Sequence, residues 1–163
     1  VCVSWEEVDE ADWYLVAYRE AGISNWTEKK TTKVDYTVKK LKKKGAYQFK
    51  AATVKKDTEV SDYSNVCNAY MFKMNCSLKA GKKSLTVKWK KDAKAGGYYI
   101  RYSKNRSMKG ARTKKINKAS RTSYKIKGLK KKTKYYVQIK PFKKISGEVY
   151  PGEFSEKAAK KTL

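Results

Sequence analysis

The chain has 163 residues, of which 41 are lysine or arginine and 15 are aspartate or glutamate, so its formal net charge is +26. With 40% hydrophobic and 13% aromatic residues, the composition is that of a folded protein and excludes a disordered or low-complexity chain. No apolar run reaches the roughly 18 to 20 residues of a membrane span, and histidine is absent, so we expect neither membrane insertion nor an enzyme.

The positive charge is confined almost entirely to the second half of the chain. Residues 1–72 hold 12 Lys and Arg against 11 Asp and Glu, whereas residues 73–163 hold 29 against four. Lysine accounts for 36 of the 41 basic residues. Because lysine is a hydrated point charge and arginine is the usual reader of guanine edges, this bias favours a diffuse polyanion as partner and disfavours specific nucleic-acid binding.

Two strands are predicted at the start of the chain. Large apolar residues recur at every second position over Val1–Trp5 and again over Tyr14–Tyr18, which is the pattern of strands with one buried face. The predicted loop between these strands carries five carboxylates, namely Glu6, Glu7, Asp9, Glu10 and Asp12. A calcium site needs about six oxygen ligands and usually a glycine, so we interpret the run as a solvated acidic loop and predict no metal site.

Two aromatic residues beside the acidic loop are candidates for ligand contact. Trp13 and Tyr14 would form a surface on which a sugar ring stacks. The alternative is that Trp13 lies partly buried under the loop. Trp26 precedes a strand-like stretch, and we interpret it as a packing residue.

The strands recur because the chain repeats itself. VCVSW from Val1 matches LTVKW from Leu85, WYLVAYR from Trp13 matches GYYIRYS from Gly97, and the segment from Tyr36 to Phe49 matches the segment from Tyr124 to Val137. Such self-similarity indicates one module used twice, and no stretch of useful length has the 3.6-residue period of a helix. We therefore predict an all-β protein of two antiparallel β-sandwiches, residues 1–72 and residues 73–163.

The two copies differ at their starts. Four residues precede Trp5, whereas residues 73–88 precede its counterpart Trp89. The segment Asn75–Lys79 therefore has no equivalent in the first copy. We expect the first sandwich to lack its N-terminal strand and the chain to be a fragment of a longer protein, since natural sandwiches cover their sheet edges.

Three cysteines are present, which is an odd number. Cys2, Cys67 and Cys76 show no Cys-x-x-Cys spacing that would indicate zinc binding or redox chemistry. We interpret them first as inert, partly buried thiols. A disulfide from Cys67 to either of the other two stays open for an oxidising location.

The repeated residues resemble the fibronectin type III module, in both copies. The resemblance rests on a tryptophan in the second strand, a Tyr-x-[Val/Ile]-x-Tyr third strand and a leucine six residues before a tyrosine. It implies packing roles for these residues. In the two copies they are Trp5, Tyr18, Leu41 and Tyr47, and Trp89, Tyr102, Leu129 and Tyr135.

The lysine- and tyrosine-rich sequence is similar to that of fibronectin repeats in surface and secreted proteins of Gram-positive gut bacteria. The resemblance implies an extracellular, non-catalytic spacer or adhesion module without a cofactor, monomeric as an isolated fragment. Its expected partners are neighbouring domains of the same protein and, through the second copy, anionic wall polymers or host glycans. Two alternatives stay open: accessory modules that flank a carbohydrate-active enzyme domain, and non-specific nucleic-acid binding.

Lysine-rich turns are the candidate contacts for such a polymer. Lys130, Lys131 and Lys132 follow Leu129, and Lys143 and Lys144 lie between the last two predicted strands. The other interpretation is that these lysines are solvated, keep the protein soluble and protect exposed sheet edges.

Overall fold

The computed structural model describes all 163 residues, Val1–Leu163, and contains strands, turns and loops without a helix. No segment therefore forms an apolar helix long enough to cross a membrane. The strands are β1 (Cys2–Ser4), β2 (Trp13–Glu20), β3 (Thr27–Thr31), β4 (Asp35–Thr37), β5 (Ala46–Lys55), β6 (Glu59–Val60), β7 (Cys67–Tyr70), β8 (Cys76–Gly81), β9 (Ser84–Trp89), β10 (Gly97–Ser103), β11 (Arg112–Ile116), β12 (Ser123–Ile126), β13 (Lys134–Ile145), β14 (Glu148–Pro151) and β15 (Ala158–Lys161).

The chain divides into two compact units. The first unit consists of Val1–Met71 together with Ile145–Tyr150, and the second consists of Phe72–Lys144 together with Pro151–Leu163. All strand pairs are antiparallel in both units. Strands β1–β7 form a two-stranded and a five-stranded sheet, and strands β8–β15 form a three-stranded and a five-stranded sheet; the antiparallel, all-β architecture is the one predicted from the period-two pattern.

The five-stranded sheets have the same strand order. Among β1–β7 the order is β3-β2-β5-β6, and β7 also pairs with β5; among β8–β15 it is β11-β10-β13-β14, and β15 also pairs with β13. The third-strand motifs occupy equivalent registers, because Tyr18 lies opposite Phe49 and Tyr102 lies opposite Val137. The sequence repeat is therefore a repeat of sheet topology.

The small sheets differ by one strand. In the second unit β9 is paired on both sides, in the order β12-β9-β8, whereas in the first unit β1 pairs with β4 alone. Leu85 and Val87 of β9 are fully buried. Their counterparts are less covered, since Val1 is 37% exposed and Val3 is partly buried.

The second unit has the larger apolar core. Alternate residues of β10 and β13, among them Ile100, Val137 and Ile139, are completely buried and pack against Leu85 and Val87 of the opposite sheet. Burial of such side chains stabilises each by roughly 1.5 to 3 kcal/mol relative to an exposed position. This core fixes the two sheets, and with them the polar strands at their edges.

Two edge strands carry almost no apolar residues. The segments TEKKT of β3 and RTKKI of β11 form strands because β2 and β10 supply hydrogen-bonding partners along their whole length. Their lysine-rich composition suits an exposed sheet edge, where charge discourages further strand pairing. The position of β11 determines where the cations of the second unit gather.

Candidate polyanion-binding groove

Tyrosine hydroxyls fix equivalent turns in the two units. The backbone N–H of Lys42 donates to the hydroxyl of Tyr47 at 3.0 Å, and that of Lys130 donates to the hydroxyl of Tyr135 at 3.1 Å. The rings of Trp5 and Tyr14 lie 5.3 Å apart and those of Trp89 and Tyr98 lie 5.2 Å apart, tilted in both cases. The two units thus share the contacts that orient their loops, beyond their strand order.

The eight residues with proposed packing roles all face the interior of their units, to different degrees. Tyr47, Trp89, Leu129 and Tyr135 are buried. Trp5, Tyr18, Leu41 and Tyr102 are partly buried. Tyr102, Leu129 and Tyr135 also border an open groove, and Tyr102 is the one of the three that lines two grooves.

The prediction that Tyr14 stacks on a sugar ring is wrong. Tyr14 is only 4% exposed, and its hydroxyl accepts a hydrogen bond from the backbone N–H of Val8 at 3.0 Å. Trp13 is partly buried; its indole N–H donates to Asp57 at 2.7 Å, and the ammonium of Lys30 lies 3.9 Å from the centre of its ring. The alternation of side chains along β2 turns the two rings to opposite faces, so they do not form one platform.

The five candidate lysines do not form one patch. Lys130, Lys131 and Lys132 lie in the turn before β13, whereas Lys143 and Lys144 lie near its far end. A strand of 12 residues, at about 3.3 Å per residue, separates the two groups by roughly 30 Å or more. Lys130, Lys131, Lys132 and Lys144 are exposed and Lys143 is partly buried.

The structure instead gathers cations in an open groove of about 860 Å³ between β11 and β12. Five cationic side chains, all exposed, line this edge groove: Arg112, Lys114, Arg121, Lys125 and Lys127. No carboxylate lines it. Since β11 and β12 are the terminal strands of their sheets, the groove follows the open side of the sandwich.

Two tyrosines line the edge groove between these cations. Tyr102 and Tyr124 are partly buried and pack against the core of the second unit. Neither hydroxyl has a hydrogen-bond partner in the protein, whereas the hydroxyls of Tyr98 and Tyr135 accept bonds from the backbone. The groove therefore combines positive charge with two phenol groups that are available to a ligand.

A second, smaller groove continues from the first. Its volume is about 470 Å³, and it shares Tyr102 and Arg112 with the edge groove. Lys104, Lys109 and Lys130 line its remaining part, again without a carboxylate. Lys130 is thus the one predicted polymer contact that belongs to this track.

The sequence contained only a partial signal for these residues. Arg112 and Lys114 are two positions apart, as are Lys125 and Lys127, so each pair lies on one side of its segment. The sequence therefore reveals that each pair of cations shares one side of its segment. The meeting of the two segments along one side of the sandwich depends on the tertiary structure, because Lys125 follows Arg112 by 13 positions in the chain and belongs to a different sheet.

Residues 73–157, just over half of the chain, match the sequence model of the fibronectin type III domain. The chain belongs to the fibronectin type III family. Modules of this family are generally non-catalytic. In this fibronectin type III chain, no three His, Cys, Asp or Glu side chains are grouped so that they would hold a metal ion.

Known proteins that resemble this fibronectin type III chain include one sequence relative and two solved structures. A Kelch domain-containing protein of Sulfurisphaera tokodaii is 44% identical over 69 residues, which is 42% of this chain and 9% of that protein. The chicken CNTN1 FN1–FN3 structure has a TM-score of 0.47 at 20% identity, covering 92% of this chain and 55% of that chain. A two-domain fibronectin type III segment of chicken tenascin has a TM-score of 0.49 at 16% identity, covering 99% and 91%.

The outer face of the second unit's large sheet carries alternating cations and rings. The guanidinium of Arg101 lies 3.8 Å from the ring centre of Phe154, and the ammonium of Lys140 lies 4.6 Å from it. Burial, and secondly the charge of Arg101, lower the pKa of Lys140. In the first unit, Trp26 is likewise contacted by Arg19 at 4.3 Å and by Lys50 at 4.5 Å, so Trp26 is a packing residue, as we interpreted it.

The acidic loop and its surroundings are solvated and partly paired with lysine. Glu10 contacts Lys55 at 2.6 Å, and Asp12 accepts a hydrogen bond from the backbone N–H of Lys56 at 2.6 Å.

The three cysteines are free thiols; Cys2 and Cys67 are exposed, and Cys76 is partly buried. Burial raises the pKa of the Cys76 thiol, although a hydrogen bond with Ser155 acts against it.

Proposed function

We propose that the chain is a non-catalytic spacer and adhesion segment of a larger extracellular protein, and that its second unit contacts anionic polymers. The observation that carries this proposal is the charge of residues 73–163. They hold 29 cations and only four carboxylates, so at least 25 cations have no carboxylate of their own segment to neutralise them. Such a surface attracts polyanions over a range set by the ionic strength.

The fold itself does not require this charge. The first unit has the same five-stranded topology, yet residues 1–72 carry a net charge of only +1. Four ion pairs in the first unit use its lysines: Lys30–Asp57, Lys42–Glu20, Lys55–Glu10 and Lys56–Glu59. The excess in the second unit is therefore a property of its surface and available for binding.

The proposed setting is the surface of a Gram-positive bacterium, where wall polymers and host glycans supply negative charge. Its support is the lysine- and tyrosine-rich sequence, which is similar to repeats of that setting. The match to 9% of a Kelch domain-containing protein supports a role as one module of a longer chain. An accessory role beside a carbohydrate-active enzyme domain is compatible with the same surface, since it too requires binding without catalysis.

Binding of the full chain to immobilised wall teichoic acid and to dextran sulfate tests this function. We expect binding to both at about 50 mM salt and an affinity loss on the order of a hundredfold at about 200 mM, as for a contact of about five cations. Uncharged dextran of equal length is the control and should not bind. Absence of binding at low salt would reduce the proposed role to that of a spacer.

Nucleic acid is the alternative polymer, and the same experiment includes it. Weak, salt-labile binding of DNA is expected of any polycation of this charge. Tight binding at physiological salt with discrimination between DNA sequences would instead favour a nucleic-acid function.

A further inference from the structure

We propose that the edge groove between β11 and β12 binds one extended chain of an acidic polysaccharide. This inference rests on the proposed function and assigns it a site and a ligand class. The site is the edge groove of about 860 Å³ with its five exposed cations, continued by the smaller groove of about 470 Å³. The two together exceed the space that a single small anion needs, and they suit an elongated ligand.

The cations are arranged as two rows along the groove. Arg112 and Lys114 belong to β11, and Lys125 and Lys127 belong to β12 and the residue after it. Residues two positions apart on a strand lie on the same side, about 6.6 to 6.8 Å from each other. An unbranched polymer between the rows therefore meets positive charge from both sides at regular intervals.

The tyrosines distinguish this groove from a plain lysine surface. Tyr102 and Tyr124 present hydroxyls without a protein partner, and a partly buried phenol gains stability from a hydrogen bond at its polar end. Polysaccharides are rich in hydroxyl and carboxylate oxygens that bond to phenols. Lysines that serve only as protection of sheet edges would not require these groups.

The same tyrosines disfavour nucleic acid as ligand. Single-stranded nucleic acid is held without sequence preference by stacking of bases on open aromatic faces. The guanidinium of Arg121 already lies 5.8 Å from the ring centre of Tyr124, and both rings pack against the core. They offer their hydroxyls to the groove more readily than their faces.

The first unit keeps only part of these charges, because Lys29 and Lys39 occupy the positions of Lys114 and Lys127, whereas two other positions hold threonine. By strand register Thr27 occupies the position of Arg112, opposite Tyr18 as Arg112 is opposite Tyr102. Thr37 likewise occupies the position of Lys125. The full set of groove cations is thus found in the second unit, although the two units share their topology.

Two variants with equal charge test the site in the full chain. The groove variant is Arg112→Gln, Arg121→Gln and Lys125→Gln. The matched control is Lys79→Gln, Lys88→Gln and Lys90→Gln, which removes three exposed cations outside both grooves. We expect the groove variant to weaken dextran sulfate binding at least about tenfold and the control to weaken it less than about threefold.

A double variant, Tyr102→Phe with Tyr124→Phe, tests the ligand class, because it removes only the two hydroxyls. We expect weaker binding of polygalacturonate and dextran sulfate, by about threefold to tenfold, and unchanged binding of oligo(dT) and inorganic polyphosphate. Oligo(dT) bound more tightly than either polysaccharide by the unmodified chain would overturn the assignment in favour of nucleic acid. Unchanged polysaccharide binding by the double variant would overturn it too.

The outcomes separate the site from the function. Equal losses in the groove and control variants would overturn the groove as the site, while the polyanion-binding function would stand. If the unmodified chain bound none of the polymers, the proposed function itself would be overturned. Circular dichroism and thermal unfolding of each variant establish that the fold is retained.

Discussion

At the scale of single residues, the two units solve one packing problem in opposite ways. Trp13 begins β2 opposite Val54, whereas Gly97 begins β10 opposite Phe142. In the first unit the large ring is that of Trp13 on β2, and in the second unit it is that of Phe142 on the neighbouring strand β13. Gly97 leaves the space that the Phe142 ring fills, since a methyl group there would press on that ring and on the carbonyl of Ile116.

We therefore expect Gly97→Ala to destabilise the second unit by roughly 2 to 3 kcal/mol, as overpacking does. Gly96→Ala is the matched control, because its methyl group would meet Lys144 and Phe142 at no less than 3.4 Å. Urea unfolding, followed by circular dichroism, measures both variants. A Gly97→Ala protein within about 0.5 kcal/mol of the parent would contradict the packing argument.

Lys140 provides a prediction about pH. Its pKa is lowered by burial and, to a smaller degree, by Arg101. Between the lowered folded pKa and the ordinary unfolded one, the unfolded chain binds more protons, so this group makes stability rise with pH in that alkaline window. At lower pH both states are protonated, and the contribution is a constant cost.

The titration of Lys140 can be followed by NMR through the chemical shift of its Cε carbon. We expect a midpoint below the ordinary value of lysine, and Arg101→Gln should raise the midpoint only part of the way, because burial is the larger cause. A midpoint at or above the ordinary value would show that the side chain is more solvated than its packing on Phe154 indicates.

At the scale of strands, the added strand β8 changes what equivalent residues contribute. Val87 of β9 is completely buried, whereas Val3 of β1 is partly buried beside β4 alone. We expect Val87→Ala to cost about 2 to 3 kcal/mol and Val3→Ala less than about 1 kcal/mol. Hydrogen exchange of the backbone amides of β9 and β1 measures the loss of stability in each unit separately. If both substitutions lowered the stability equally, the open edge of β1 would not weaken its unit.

Strands with one apolar face were predictable from the sequence, whereas of the two polar edge strands only the stretch after Trp26 had a strand-like pattern. Val16 and Ile100 occur in clear period-two segments and lie in buried strands as predicted. The strand RTKKI, in contrast, has one buried residue, Ile116, and owes its conformation to β10. The edge groove is built from such segments, and this is why composition indicated a polyanion but did not locate it.

The direction of a side chain was the other missing information. Trp13 and Tyr14 are adjacent in sequence, and composition alone predicts that they form one sugar-stacking surface. Adjacent residues of a strand point to opposite faces, and the face of Tyr14 is the core. The corner tyrosines Tyr47 and Tyr135, by contrast, follow a leucine at a fixed spacing, and that local pattern places both hydroxyls on the backbone of the preceding turn.

At the scale of the whole chain, the unequal charge of the two units predicts unequal responses to salt. Residues 73–163 carry a net charge of +25 and residues 1–72 one of +1. Mutual repulsion among the cations destabilises the compact second unit, and it is screened when the Debye length falls from about 30 Å at 0.01 M to a few ångströms near 1 M.

We expect the thermal midpoint of the second unit to rise on the order of 5 °C when sodium chloride is raised from about 0.01 M to about 0.5 M. The midpoint of the first unit should change less or fall, since its four ion pairs are weakened. Residue-resolved NMR during heating distinguishes the units. An equal rise in both would point to a general salt effect and not to charge repulsion.

Trp5 and Trp89, which occupy equivalent positions in the two units, can serve as spectroscopic probes. The indole N–H groups of Trp5 and Trp89 are buried and lack a hydrogen-bond partner, one in each unit. A donor that is shielded from water exchanges its hydrogen slowly, and without an acceptor its resonance shifts away from that of a solvated indole. Each unit therefore carries a native spectroscopic probe at its centre, with which folding and ligand effects in the two halves are read separately without a label.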